Sequence, residues 1–347
     1  MAENPATRPR AVIFGCGGPV LTELERAFFA EAVPLGFILF ARNCENPDQV
    51  RALVAELLGS VGRADAPVLI DQEGGRVQRL KPPHWRDAPA AGVFAELAED
   101  DPIRAEEAAR LNARLIAADL AALGITVDCA PVLDVPQPGA DDIIGDRAVG
   151  RTPDLAARLG RAVCEGLMAG GVLPVIKHIP GHGRAVVDSH KSMPIVNASR
   201  DQLDVFDFAP FRALCGMPWS MTAHVVYTAI DPDRPATTSP CMLGEVIRVD
   251  IGFRGVLVSD DLSMQALTGG LGERAAAARA AGCDVALHCN GDMVEMADIA
   301  DNVGSLTNAT EERLGAAELQ RRRSDDKCSD WDRDAALLRL AALMGAS

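Results

Sequence analysis

Eight short apolar, β-branched runs recur along the chain, and most end in a polar or glycine-rich cluster before a helix-like segment begins. They cover residues 11–14, 36–40, 67–70, 125–128, 173–176, 220–222, 255–258 and 284–287. Runs of this length, bounded by turn residues, have the character of strands buried on both faces of a sheet. The clearest intervening segment, 47–58, carries Val50, Leu53, Val54, Leu57 and Leu58 at helical spacing. Asn46 is placed to cap it, Pro47 suits the first helical position, and Gly59 follows as a stop. Segments 106–123, 155–169 and 273–281 are similarly rich in alanine and leucine. Eight strand–helix alternations predict an α/β fold, a single (β/α)8 TIM-type barrel, over a doubly wound sheet.

The chain has 347 residues, 48% of them hydrophobic, enough to fill one large barrel. No interdomain linker, tandem repeat or low-complexity tract divides it. One domain over 1–347 is therefore expected, with strand–helix units over about 11–291 and helices packed on the barrel from 292 to 347. A polar stretch, 320–334, is read as lying between helical segments of that tail.

A net charge of −15, with no basic cluster beyond Arg321-Arg322-Arg323, argues against nucleic acid as a partner. Nine cysteines, odd in number and never spaced C-x-x-C, suggest reduced thiols in a cytoplasmic protein. The first apolar run is too short for a signal peptide, and no stretch is long enough to span a membrane. Gly15-Cys16-Gly17-Gly18 lacks the spacing of a dinucleotide loop, so no cofactor is expected.

In a barrel of this kind the C-terminal ends of the strands face one mouth, where active sites are built. The residues there are polar: Asp71, Lys177, His178, His224, Asp260 or Asp261, and His288. The segment after the fifth run, Lys177-His178-Ile179-Pro180-Gly181-His182-Gly183 with Asp188-Ser189-His190, places three of six histidines within fourteen residues. His178 and His182 have the spacing of a helical metal pair, but Pro180 and Gly181 would break that helix, so no metal site is expected. A loop with unusual dihedrals fits better.

Two carboxylates in one mouth are the minimal kit for cleaving a glycosidic bond. Asp260 is favoured as nucleophile because it continues the face of Val256 and Val258, while Asp261 begins the turn; the competing reading makes the pair a helix cap. In Asp188-Ser189-His190 a carboxylate beside an imidazole would fix its tautomer and leave the other nitrogen to exchange a proton. The same triplet also reads as an Asp-capped turn with an exposed histidine. An enclosed Lys177 would need sugar hydroxyls, a carbonyl or a structural aspartate. Asp71, Arg76 and Arg79 suit hydroxyl recognition, with an internal salt bridge as the rival. Arg147 by itself reads as a surface arginine, and His224 and His288 as satisfied core histidines.

With these residues in hand, the chain resembles the bacterial cytoplasmic β-N-acetylhexosaminidases of glycoside hydrolase family 3, the cell-wall recycling type. The resemblance covers most of the chain and rests on Ile70-Asp71-Gln72-Glu73-Gly74-Gly75-Arg76-Val77-Gln78-Arg79, the KHIPGHG segment with Asp188-Ser189-His190, Ser259-Asp260-Asp261-Leu262-Ser263-Met264, and Ala281-Gly282-Cys283-Asp284. It implies a retaining mechanism with Asp260 as nucleophile, His190 as acid/base and Asp188 holding His190. It also implies that Asp71, Arg79, Arg147, Lys177 and His178 bind a terminal N-acetylglucosamine. The substrate it implies is N-acetylglucosamine joined β-1,4 to 1,6-anhydro-N-acetylmuramic acid, with or without peptide, taken by a monomer. Three departures stand out: Ile179 where phenylalanine is frequent, Arg184 where an acidic or neutral residue is common, and His288 where apolar residues prevail. Arg184 is therefore a candidate either to alter closure of the loop or to contact an anionic muramyl or peptide carboxylate. Three other readings remain open: a phosphorylase using the same intermediate, a metal-dependent hydrolase on the same barrel, and a sugar-binding barrel without catalysis.

Overall fold

A computed structural model describes residues 8–187, 189, 192–325 and 331–345. Asp188 and His190 lie outside the described residues. Eight parallel strands close into a barrel, and each falls on one of the eight apolar runs. They are β1 Arg10–Phe14, β2 Pro34–Leu39, β3 Val68–Ile70, β4 Val127–Asp128, β5 Leu173–Ile179, β6 Trp219–Thr222, β7 Val256–Asp261 and β8 Val285–His288. The hydrogen-bonded order is β1-β8-β7-β6-β5-β4-β3-β2, so every strand pairs with its neighbour in sequence and β8 closes on β1. Every residue of β2 and β5 is buried, which is why these runs are continuously apolar rather than alternating.

The first long helix, Pro47–Val61, is capped as expected: the Asn46 side chain accepts from Gln49 N. It does not stop at Gly59. It continues for another half turn to Val61 and ends at Gly62, whose φ of +64° supplies the left-handed cap. An exposed glycine weakens a helix without ending it when the next residues still bond backwards. The later helices, Pro102–Ala121, Pro153–Ala169 and Leu271–Ala281, also start two to four residues before the apolar periodicity does. Asp101 and Thr152 cap the first two of these and a proline fills their first turn. The polar stretch from 320 is partly helical, because Asn308–Asp325 runs through its start, and Arg333–Leu343 follows.

Asp284 fastens that tail to the barrel floor. One carboxylate oxygen accepts from Leu257 N and Arg248, the other from Thr310 and Arg313 on the helix Asn308–Asp325. A small sheet of Ile195–Val196, Val226–Tyr227 and Asp231–Pro235, which the apolar runs did not signal, stands outside the barrel near the mouth. No helix among the described residues is long and apolar enough to cross a membrane.

Candidate active site

The C-terminal ends of β2, β3, β5, β6, β7 and β8 surround a cavity of about 230 Å³, lined among others by Asp71, Arg79, Arg147, Lys177, His178 and Asp260. One wall is a cross-paired charge cluster. Lys177, 2% exposed, donates from Nζ to Asp71 Oδ1 at 2.9 Å and lies 2.6 Å from Glu73 Oε1. Arg79 donates to the other Asp71 oxygen at 2.9 Å and stacks over the Phe40 ring. Arg147 meets Glu73 side-on, Nε to Oε2 and Nη2 to Oε1, both at 2.9 Å. Burial opposes charge on Asp71, Glu73, Arg147 and Lys177, but the pairing outweighs it. Asp71 and Glu73 are held below the usual carboxylate range by Lys177 with Arg79 or Arg147, and Lys177 is held above the ordinary lysine value by the two carboxylates.

The turn after β3 makes this wall possible. Gly74 and Gly75 have φ of +96° and +56°, and a Cβ at Gly74 would come within 2.3 Å of Pro89 O. Only glycine fits a backbone that tight and left-handed. The turn thereby sends Glu73 back toward Lys177 and Arg76 forward over the segment 142–146, where it donates to the carbonyls of Asp142, Ile143 and Ile144.

Beneath the wall, Asp128 is fully buried, with one oxygen bonded to Gln72 N and the other without a hydrogen-bond partner among the described residues. Burial pushes its carboxyl up to about 7, against the pull of Gln72 N and Lys177, with Asp71 and Glu73 adding to the rise.

His178 is oriented by Asp134, which lies behind the cavity with none of its surface exposed. His178 Nδ1 lies 2.7 Å from Asp134 Oδ2, and the backbone N–H groups of His178 and His182 both donate to Oδ1. This fixes the ring and leaves Nε2 for the cavity. Asp134 is itself held low, since His178 and His182 outweigh its burial. His182 lines the cavity too; burial pushes its imidazole down to about 4, and its Nε2 lies 3.2 Å from Ser189 Oγ. The loop that follows is tied down where it is described. Tyr227 donates to Gly181 O, Gly181 has φ of +138°, and Gly183 packs so close to Val135 that a Cβ would overlap its carbonyl. Ala266 N donates to Ser189 O.

At the end of β7 the two aspartates divide their roles. Between Val258 and Asp261 the pairing with β8 shifts register, three residues on β7 matching two on β8. The shift has the two-against-one pairing of a bulge, which re-aims side chains, so strict alternation does not reach Asp260; both carboxylates face the cavity. Hydrogen bonding separates them instead. Asp261 accepts from Ser263 N, Ser263 Oγ and Cys289 N, the cap of a tight turn. Among the described residues Asp260 accepts a single bond, from Asp261 N at 2.8 Å. Burial raises its carboxyl, but His178 and His224 more than compensate and keep it below the usual carboxylate range.

The glycosyl hydrolase family 3 N-terminal domain matches residues 26–321 of this chain. The chain belongs to that family. It is similar to a β-hexosaminidase of Alkalilimnicola ehrlichii, 41% identical over 283 residues that make up 80% of each chain. Its fold is similar to that of NagZ from Neisseria gonorrhoeae, with a TM-score of 0.86 and 34% identity over 98% of this chain and 99% of the other. A crystal structure of the same protein in complex with N-trifluoroacetyl-D-glucosamine also matches, at a TM-score of 0.86 and 34% identity over 99% and 100% of the two chains.

In this family 3 glycoside hydrolase the structure brings together Asp71, Arg79, Arg147, Lys177, His178 and Asp260 around one cavity. Asp71 and Arg79 both line it and pair with each other, so the hydroxyl-recognition and salt-bridge readings coexist. Arg147 is not a surface arginine; its side chain is 12% exposed and faces inward. Of the two roles expected for Arg184, its contacts are those of the loop role. It donates to Asp207 at 2.7 Å and packs over Phe206, bracing the loop. His224 is a satisfied core histidine, with Thr237 Oγ1 at 2.7 Å and Asp261 O at 3.0 Å. His288 is fully buried, edge-on to Phe14 and 3.4 Å from Glu295. Among the described residues no three His, Cys, Asp or Glu side chains are grouped to hold a metal ion.

Glu73 and Asp134 escaped the reading of the sequence. Each was visible as a carboxylate close after a strand, but an acid there usually caps a turn. Their partners lie 74 and 44 residues away.

Proposed function

We propose that the enzyme is a retaining exo-β-N-acetylglucosaminidase. It removes terminal β-linked N-acetylglucosamine from peptidoglycan fragments such as N-acetylglucosaminyl-1,6-anhydro-N-acetylmuramic acid. The observation that carries this reading is the contrast between Asp260 and the other described acids lining the cavity, Asp71 and Asp261: its carboxylate is held ionised, is half-buried and, among the described residues, accepts a single hydrogen bond while facing a wall of fixed donors. That is the state in which a carboxylate is a competent nucleophile. The relatives named β-hexosaminidase, and the N-trifluoroacetyl-D-glucosamine bound by the Neisseria protein, support the choice of sugar.

In the proposed reaction Asp71, Arg79, Arg147, Lys177 and His178 hold the terminal sugar, with Asp71 accepting hydrogen bonds from its hydroxyls and the cations donating. An Asp260 oxygen attacks the anomeric carbon as the glycosidic C–O bond breaks, and His190 gives its proton to the leaving oxygen. Water then attacks the same carbon, His190 takes back a proton, and the Asp260 ester bond breaks, so configuration is retained. Asp188 orients His190. We read the chain as one catalytic unit, active as a monomer in the cytoplasm.

The test is proton NMR of the first-formed product from 4-nitrophenyl N-acetyl-β-glucosaminide, in chelator-treated buffer with and without phosphate. The expected product is β-N-acetylglucosamine at the same rate in all conditions. An α product overturns retention, sugar 1-phosphate makes the enzyme a phosphorylase, and loss of turnover restored by zinc makes it a metal enzyme.

A further inference from the structure

Glu73 does not line the cavity, yet it holds two side chains that do. Its own side chain is 5% exposed and lies behind Lys177, on the side away from the mouth. Lys177 is therefore shared between a front carboxylate, Asp71, which can meet a ligand, and a back carboxylate, Glu73, which cannot.

The geometry at Arg147 is more telling. A guanidinium has five N–H donors. Glu73 takes two of Arg147's, through Nε and Nη2, and Ile143 O takes one from Nη1 at 3.2 Å. Two remain, on a group that lines the cavity. A lone arginine on a short turn would sample many rotamers, and a ligand would have to select one at an entropic cost. Side-on pairing with a buried carboxylate makes that selection in advance. Arg76, three residues after Glu73, grips the carbonyls of Asp142, Ile143 and Ile144 and pairs with Asp146. One turn therefore fixes both the side chain of Arg147 and the backbone that carries it.

We propose that Glu73 is a positioning residue for the sugar site, presenting the remaining donors of Arg147 and Lys177 to the cavity without touching the ligand. The proposal rests on the N-acetylglucosaminidase reading above. An ion pair that serves only folding would lower the melting temperature and leave substrate recognition in the folded enzyme unchanged.

The experiment compares wild type, Glu73→Gln, Arg147→Ala and the double variant on 4-nitrophenyl N-acetyl-β-glucosaminide, well below each melting temperature. Glu73→Gln is expected to raise KM by about 10-fold or more with a much smaller change in kcat, the pattern of lost ground-state binding. In the Arg147→Ala background the same change is expected to add no more than about 3-fold, because the donors of Arg147 are already gone and only Lys177, which Asp71 also holds, is left for Glu73 to position. A KM for Glu73→Gln within about 2-fold of wild type, or single effects that multiply in the double variant, overturns the proposal. If Glu73→Gln does not fold, Glu73→Asp keeps the charge but is too short to span both cations. It too is expected to raise KM, and an unchanged KM there overturns the proposal equally. A wild type that does not cleave the glycoside overturns the functional reading and this inference with it, whereas an active wild type with additive variants overturns the inference alone.

Discussion

The two sides of the cavity solve opposite electrostatic problems. On the side built from β3, β5 and the segment ending at Arg147, five ionised groups neutralise one another at distances of 2.6–2.9 Å. At the end of β7, Asp260 has, among the described residues, a single backbone hydrogen bond and feels the charges of His178 and His224 through space. Binding groups gain from being fixed in advance, since fixed donors need no reorganisation when a ligand arrives. A nucleophile gains from the reverse, because each hydrogen bond it accepts lowers its reactivity. The proposed roles assign the two kinds of carboxylate accordingly.

The largest effect should come from the sparse side. Asp260→Asn is expected to lower kcat roughly 10⁴-fold, the scale for removing a nucleophile, with little loss of stability. Asp261→Asn, at a carboxylate spent on Ser263 and Cys289 N–H groups, should cost far less in kcat and more in melting temperature. Steady-state kinetics and calorimetry on the pair check this; similar kcat losses in both would erase the distinction between the two acids.

On the crowded side, removing one member should strand its partners. Lys177→Met keeps the volume but leaves Asp71 and Glu73 facing each other through a buried gap. A loss of about 3–5 kcal/mol is expected for breaking such a buried pair, together with a higher KM, as measured by denaturant titration and kinetics. A stable variant with unchanged KM would mean the cluster is neither structural nor a binding wall.

Arg184 tests where the comparison stops. Because Arg184 is paired with Asp207, Arg184→Ala should leave KM for aryl and muramyl substrates equally unchanged. It should cost about 1–3 kcal/mol of stability for the buried acid left behind. A KM rise confined to the muramyl substrate would return Arg184 to the substrate.

The last effect lies beneath the wall and shows as a slope with pH. Asp128 is held up at about 7, above the ordinary carboxyl value. Between about pH 4 and 7 the folded state therefore keeps a proton that the unfolded chain releases, and this contribution to stability declines as pH rises. Asp128→Asn is neutral throughout. The stability of wild type relative to Asp128→Asn should fall with rising pH by on the order of 1 kcal/mol per unit across that window. A difference that stays flat or grows would mean the carboxyl is ionised in the folded state.

Much of this was legible in the chain. All eight barrel strands sit on the apolar runs because buried parallel strands leave a continuous apolar signature. Helix starts were less legible, since Asp101, Thr152 and the prolines that open those helices lie outside the apolar period. Asp71, Lys177, His178 and Asp260 could be placed because strand ends converge at one mouth, and Arg79 because it follows Asp71 in a segment whose acceptor and forked donors suit hydroxyl recognition. The register shift at the end of β7 left no mark in the sequence, and alternation favoured Asp260 for a reason the strand does not obey. Glu73, Asp134 and the pairing of Arg184 depend on partners brought together by closure of the barrel, which no local pattern encodes.

The most direct measurement of the central claim is mass spectrometry of the enzyme after incubation with a slow, fluorinated N-acetylglucosamine analogue. A covalent sugar on the peptide bearing Asp260, mapped to that residue and absent from Asp260→Asn, is the expected result. A label on Asp261, or none while the analogue is turned over, would contradict it.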